Sequence, residues 1–148
     1  MSTKRHEVFL ADLLSELISR HPNWQIEDHC KIEWEGHPRN IWPEADIVIS
    51  MPGRQFIVAY DEDSDPGRNL VKYWPILHES GHVSLTIIEI WKKRTVTGRN
   101  SAVLAQQMGE KMMEFHPGSI YEFIERKDES AILISDKIEQ IILGKNRR

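Results

Sequence analysis

Two short apolar runs stand on either side of a proline-glycine turn: residues 45–50 read ADIVIS, residues 56–61 read FIVAYD, and PGRQ lies between them. Short β-branched runs flanking such a turn pair as an antiparallel hairpin. The rest of the chain then serves as scaffold for that hairpin. A four-residue connection sets Ser50 against Ile57 and Asp46 against Asp61. Period two puts Ile47, Ile49, Phe56, Val58 and Tyr60 on one face, and Asp46, Val48, Ala59 and Asp61 on the other. Two carboxylates would then lie side by side at the open end of the hairpin. That is unfavourable unless something neutralises them, and a divalent cation is the obvious candidate. A register change of one residue would separate them.

The flanking segments read as follows. Residues 4–20 carry Leu10, Leu13, Leu14, Leu17 and Ile18 at helical spacing, and His21-Pro22-Asn23 ends that helix. Residues 24–34 read as a strand, interrupted or bulged around Asp28–Cys30, and EGHPRN follows as a loop. Asp65 is a good N-cap and Pro66 a good first residue for a helix over 66–80, whose stripe is Leu70, Tyr73, Trp74 and Leu77. Arg68 and Lys72 share another face of it, beginning next to the acidic residues. Pro75 kinks or shortens this helix, and Gly81 stops it.

Residues 83–91, VSLTIIEIW, are almost continuously apolar, as in a strand buried on both faces at the parallel centre of a sheet. Hairpin, helix and strand together make a right-handed crossover. Lys92, Lys93, Arg94 and Arg99 form a basic loop beyond it, suited to phosphate contact or simply to solvation. A helix over 100–115 presents Val103, Leu104, Met108, Met112 and Phe115. IYEFI at 120–124 reads as an edge strand. Residues 129–143 read as a last helix with Ile134, Ile138, Ile141 and Ile142 inward. No repeat or linker divides the chain, so residues 1–148 are expected to form a single domain with one core.

Composition narrows the function classes. No apolar run approaches the ~18 residues a bilayer demands. Glu7, Asp12 and Glu16 interrupt any signal-peptide core, so no membrane partner and a cytoplasmic location are expected. The single cysteine, Cys30, excludes an internal disulfide. A net charge of −4 excludes a nucleic-acid binder that works through one broad basic surface, so DNA contact falls to local basic clusters. The five tryptophans are scattered along the chain, as core anchors are, and are not interleaved with Lys and Arg.

Two constellations carry candidate chemistry. Pro43, Asp46, Asp61 and Asp63, with Arg68 and Lys72 nearby, gather hard oxygen donors of the type that suits Mg²⁺ or Mn²⁺. His78-Glu79-Ser80-Gly81-His82 matches the zinc-protease pattern H-E-x-x-H. That pattern needs a helix continuing through His82, whereas Gly81 reads as a stop and a β-like run begins at once.

The first constellation resembles the PD-(D/E)XK, or restriction-endonuclease-like, nuclease superfamily, with the likeness covering roughly residues 4–91. Asp46 fits the aspartate that opens the second core strand, with Pro43 three residues before it. On the third strand one alignment uses Asp61-Glu62-Asp63, with Asp63 where lysine is expected. Another uses Ala59-Tyr60-Asp61, which lacks the key carboxylate. The segment DPGRNLVKYWPIL is similar to the helix that follows the hairpin in small members of the superfamily.

The resemblance implies an α/β fold with a restriction-endonuclease-like mixed β-sheet flanked by α-helices. It also implies divalent-metal-dependent hydrolysis of DNA phosphodiester bonds. Asp46, Asp61 and Asp63 would be metal ligands and catalytic residues using Mg²⁺ or Mn²⁺. Lys72 would stabilise the transition state, and Arg68, Lys92, Lys93 and Arg94 would bind substrate. A homodimer would follow the habit of small nucleases. The missing lysine keeps a second outcome open, a non-catalytic DNA-binding or protein-interaction module of the same fold.

Overall fold

The computed structural model describes residues 4–62, 72–73, 84–92, 98–116 and 118–144. Helix α1 spans Lys4–Arg20. Strands β1 (Gln25–Lys31), β2 (Glu44–Met51) and β3 (Arg54–Glu62) follow, with a short 3-10 turn at Arg39–Ile41. Then come β4 (Ser84–Lys92), α2 (Gly98–Phe115), β5 (Ile120–Glu125) and α3 (Ala131–Leu143). The strands form one sheet in chain order, β1 to β5. The first three pair antiparallel, and β3, β4 and β5 pair parallel. Among the described residues the molecule is thus an α/β fold with a mixed sheet flanked by helices. No helix among the described residues is long and apolar enough to cross a membrane.

The hairpin turn is tighter than its sequence suggests. Met51 pairs with Arg54, so only Pro52 and Gly53 lie in the loop. Gly53 has φ +73°, a conformation that favours glycine, and proline pre-sets the backbone before it. Ser50 therefore faces Gln55, not Ile57, and Ile47 faces Val58. One step further along the same register, Asp46 comes level with Ala59 instead of Asp61. The slip is an even number of residues, so every side chain keeps its expected face while the expected pairing of carboxylates is lost.

The sheet buries both faces. On one, Ile47, Ile49, Phe56, Val58, Tyr60, Ile88 and Ile90 meet Phe9, Leu13 and Leu17 of α1 and Ile134, Ile138 and Ile142 of α3. On the other, Val48, Ile57, Leu85, Ile87 and Tyr121 meet Ala105 and Met112 of α2, together with Ile32 and Tyr73. Strand β4 is buried throughout from Leu85 to Trp91, as a central strand should be. IYEFI takes the sheet edge as β5.

Helix α2 is rotated from the expected face. Val103, Leu104 and Phe115 are exposed, while Ala105, Gly109 and Met112 point inward. Gly109 explains the choice, because a Cβ there would lie 2.1 Å from the Tyr121 ring. The helix approaches the sheet through its smallest residues. Helix α3 begins at Ser130, whose side chain accepts from the Leu133 amide, and ends at Gly144 with φ +65°. Arg20 ties α1 to α3: Nη1 donates to Asp136 at 2.7 Å and to Glu139 at 2.8 Å, and Nε donates to Glu16 at 2.7 Å. Those hydrogen bonds hold its pKa above the usual arginine range.

Candidate functional site

The β2–β3 ladder stops at Ile47↔Val58, and Asp46 occupies the opening beyond it. Its Oδ2 accepts the Tyr60 backbone N–H at 3.0 Å. The carboxylate thus stands in for a backbone acceptor at the point where the strands part. The other neighbour of Asp46 is irregular too. The β1–β2 ladder passes from Asp28↔Ile47 to Cys30↔Ala45, and His29 between them has φ +47°. The interruption expected around Asp28–Cys30 is therefore centred on His29. A groove of about 420 Å³ reaches Asp46 from the α1 side, lined by Glu7, Leu10, Leu14, Asp28 and His29 among others.

Asp61 lies at the end of β3 beside Trp91, and Asp46 lies at the start of the adjacent antiparallel strand, so both mark the same end of the sheet. Both are half-buried. A further carboxylate, not expected among the site residues, belongs to this region. Glu89 is 0% exposed and pairs with Ala59, the residue level with Asp46. Its signal in the sequence was a lone charge inside the apolar run LTIIEIW.

The electrostatic surroundings of two phenols show the grouping. Tyr73 is fully buried, and its pKa is pushed well above the ordinary value, first by burial and then by the charges of Asp46, Glu89, Asp61 and Glu44. Tyr121 is raised in the same direction by burial, then by Glu89 and Asp61.

Lys72 also comes to this end of the sheet. Its Nζ donates to the Glu44 carbonyl and lies 5.2 Å from the centroid of the Tyr73 ring. The Tyr73 hydroxyl donates to the same carbonyl at 3.4 Å. Glu62 alternates to the opposite face. There its Oε2 accepts from the Tyr60 hydroxyl at 2.5 Å, and Arg126 Nη1 donates to that hydroxyl at 2.6 Å. The Arg126 guanidinium lies 3.7 Å over Phe9. Lys92, at the end of β4, pairs with Asp128 at 3.3 Å and does not join the carboxylates.

Asp63, Arg68, Lys93 and Arg94 lie outside the described residues, as do His78, Glu79 and His82. Strand β4 does begin at Ser84, two residues after His82. Among the described residues no three His, Cys, Asp or Glu side chains converge closely enough to hold a metal ion. The donor chemistry of Asp46, Asp61 and Glu89 is nevertheless that of a hard cation, and Mg²⁺ typically uses only one or two carboxylates and keeps several waters.

No family model and no curated protein matches the chain. A solved structure described as the protein of unknown function AF1548 is similar at 8% identity, covering 95% of this chain and 73% of that one, with a TM-score of 0.41. So distant a likeness carries no argument about what either protein does.

Proposed function

We propose that the chain is a divalent-metal-dependent nuclease domain that hydrolyses DNA phosphodiester bonds. One observation carries this reading: Asp46 and Asp61 stand at one end of two adjacent strands, where the ladder opens, and Lys72 is bonded to the Glu44 carbonyl two residues before Asp46. A bound Mg²⁺ or Mn²⁺ would polarise the phosphodiester and lower the pKa of water. Asp46 and Asp61 would supply the oxygen donors. Asp46 is fixed in place by the Tyr60 amide. An ammonium has three donors, and the Glu44 carbonyl takes one of those of Lys72, leaving others for a phosphate oxygen as negative charge builds there. Asp63, Arg68, Lys93 and Arg94 would add a ligand and phosphate contacts, and Lys92 would join them by leaving Asp128. A homodimer would present one site to each strand of DNA. The proposed setting is the cytoplasm.

A second reading has an observation in its favour. One oxygen of Asp46 is engaged by a backbone amide, and no three-ligand group forms among the described residues. On that reading the chain binds DNA or a protein without cutting. Calorimetric titration with Mg²⁺ and Mn²⁺, paired with cleavage of double-stranded DNA, decides between the two. The nuclease reading expects binding and cleavage that Asp46→Asn removes. Cation binding without cleavage, or DNA binding without a cation, moves the assignment to the second reading. Absence of both cation binding and cleavage ends the nuclease reading.

A further inference from the structure

The loop that joins β1 to β2 carries two of the five tryptophans, and each has a planar group laid over it. The Trp34 and His37 rings stack with centroids 3.7 Å apart. The Arg39 guanidinium lies 5.4 Å from the centroid of the Trp42 ring. Trp34 packs against the α2-side core, so His37 is the outer member of its pair. Arg39 is exposed and is the outer member of the other.

Hydrogen bonds pin both pairs. The His37 amide donates to the Trp34 carbonyl at 3.1 Å, and the Trp42 indole donates to the His37 carbonyl at 2.9 Å. The Ile41 and Trp42 amides donate to the Pro38 and Arg39 carbonyls, and Lys31 Nζ donates to the Arg39 carbonyl at 3.1 Å. At the base of the loop the Ile32 amide donates to the Pro43 carbonyl at 2.8 Å. The Glu44 carbonyl that follows receives Lys72 and Tyr73, and Asp46 is two residues further on. The loop therefore rises from the end of the sheet that holds the candidate site.

We propose that this loop is a stacking platform for unpaired nucleobases, with His37 and Arg39 as its contact residues. The substrate is then DNA with unpaired nucleotides beside the bond to be cut, an inference that rests on the nuclease reading. Charge decides against a duplex. Within residues 31–43, Lys31 and Arg39 are matched by Glu33 and Glu35, and the whole chain carries −4. A surface without net positive charge gains little from phosphates, which supply most of the sequence-independent affinity for a duplex. Stacking needs no net charge, and every base offers a π-face once it leaves the helix. Histidine rings and arginine planes are both groups on which unpaired bases stack. Both pairs are held before any base arrives, so binding does not have to order the loop.

The test measures binding of fluorescein-labelled oligothymidylate, and of a blunt duplex of equal length, to the full chain by anisotropy in EDTA. The single strand is expected to bind more tightly than the duplex. His37→Ala and Arg39→Ala should each weaken single-strand binding about 5- to 100-fold, the loss of one stacked base, with the melting temperature little changed. His37→Phe keeps a ring and should retain binding. Arg39→Lys keeps the charge and removes the plane, so it should lose as much as Arg39→Ala, whereas a simple phosphate contact would be restored by lysine. Equal affinity for the two DNAs, binding of neither, or single-strand binding that survives His37→Ala or Arg39→Lys overturns the platform. Adding Mn²⁺ to the same mixtures tests the nuclease reading separately. Single-strand binding without cleavage upholds the platform and ends the assignment of hydrolysis; duplex cleavage without single-strand preference does the reverse.

Discussion

Tyr60 and Tyr121 are both buried phenols on one sheet, and their surroundings differ. Tyr60 faces α1 and α3, where its hydroxyl accepts from Arg126 at 2.6 Å and donates to Glu62 at 2.5 Å amid an apolar core. Tyr121 faces α2 among Glu89 and Asp61, with no hydrogen-bond partner for its hydroxyl among the described residues. The α1 face matches its buried phenol with partners; on the α2 face the buried phenol hydroxyl has none among the described residues. The first arrangement serves stability; the second leaves a buried hydroxyl whose removal should cost little.

The largest expected effect tests the α1 face as the stabilising one. Leu13 is 0% exposed there, and Leu13→Ala should cost about 2–5 kcal/mol in urea unfolding. A cost well below that would mean the α1 face is not where stability resides.

Asp46 separates structure from chemistry. Asp46→Ala takes the acceptor from a buried amide and should cost about 1–3 kcal/mol. The repulsion-relief expected from opposed aspartates does not apply, because Ala59, not Asp61, lies level with Asp46. Asp46→Asn keeps an acceptor oxygen and should recover most of that stability while still losing Mn²⁺ in calorimetry.

A smaller effect sharpens the contrast between the phenols. Tyr60→Phe should cost about 0.5–1.5 kcal/mol, since it breaks formed hydrogen bonds, whereas Tyr121→Phe should leave unfolding by urea nearly unchanged. Equal costs would erase the distinction.

The smallest effect appears in alkali. All three tyrosines are raised by burial above the ordinary value of 10.0. The folded chain therefore keeps phenolic protons that the unfolded chain releases. Stability is full below pH 10.0 and falls as pH rises above it. The Cys30 thiol acts with the same sign from pH 9.0, since burial and then Glu27 push it up to about 11. In unfolding measured against pH, Tyr121→Phe should make the decline shallower. An unchanged slope would show that Tyr121 titrates normally.

Much of the fold was legible because strong periodicity survives small errors. The stripe from Leu10 to Leu17 predicts α1, and VSLTIIEIW predicts a strand buried on both sides. The hairpin register was not legible. Arg54 and Gln55 look like turn residues, yet Arg54 pairs with Met51, and its guanidinium covers the Phe56 ring at 4.7 Å. A polar label hid a residue whose backbone belongs to the ladder and whose stem packs. The face of α2 was hidden for the converse reason. Hydrophobicity favours Leu104 and Phe115, but close approach to Tyr121 requires Gly109. At the candidate site, Asp46 and Asp61 were legible as carboxylates at a strand end, and Lys72 as a cation on the segment that follows β3. Glu89 and Tyr121 were not, because their grouping depends on parallel pairing between strands distant in sequence.

The Arg20 clamp has a consequence for how the chain is made. It joins the first helix to the last, and Leu13 and Leu17 share their core with Ile134, Ile138 and Ile142. During synthesis from the N-terminus, α1 and the three-stranded meander emerge long before α3 exists. Their apolar surface then waits without its cover while most of the chain is still being added. Completion of this half of the molecule therefore waits for α3, a delay that leaves apolar surface open to aggregation.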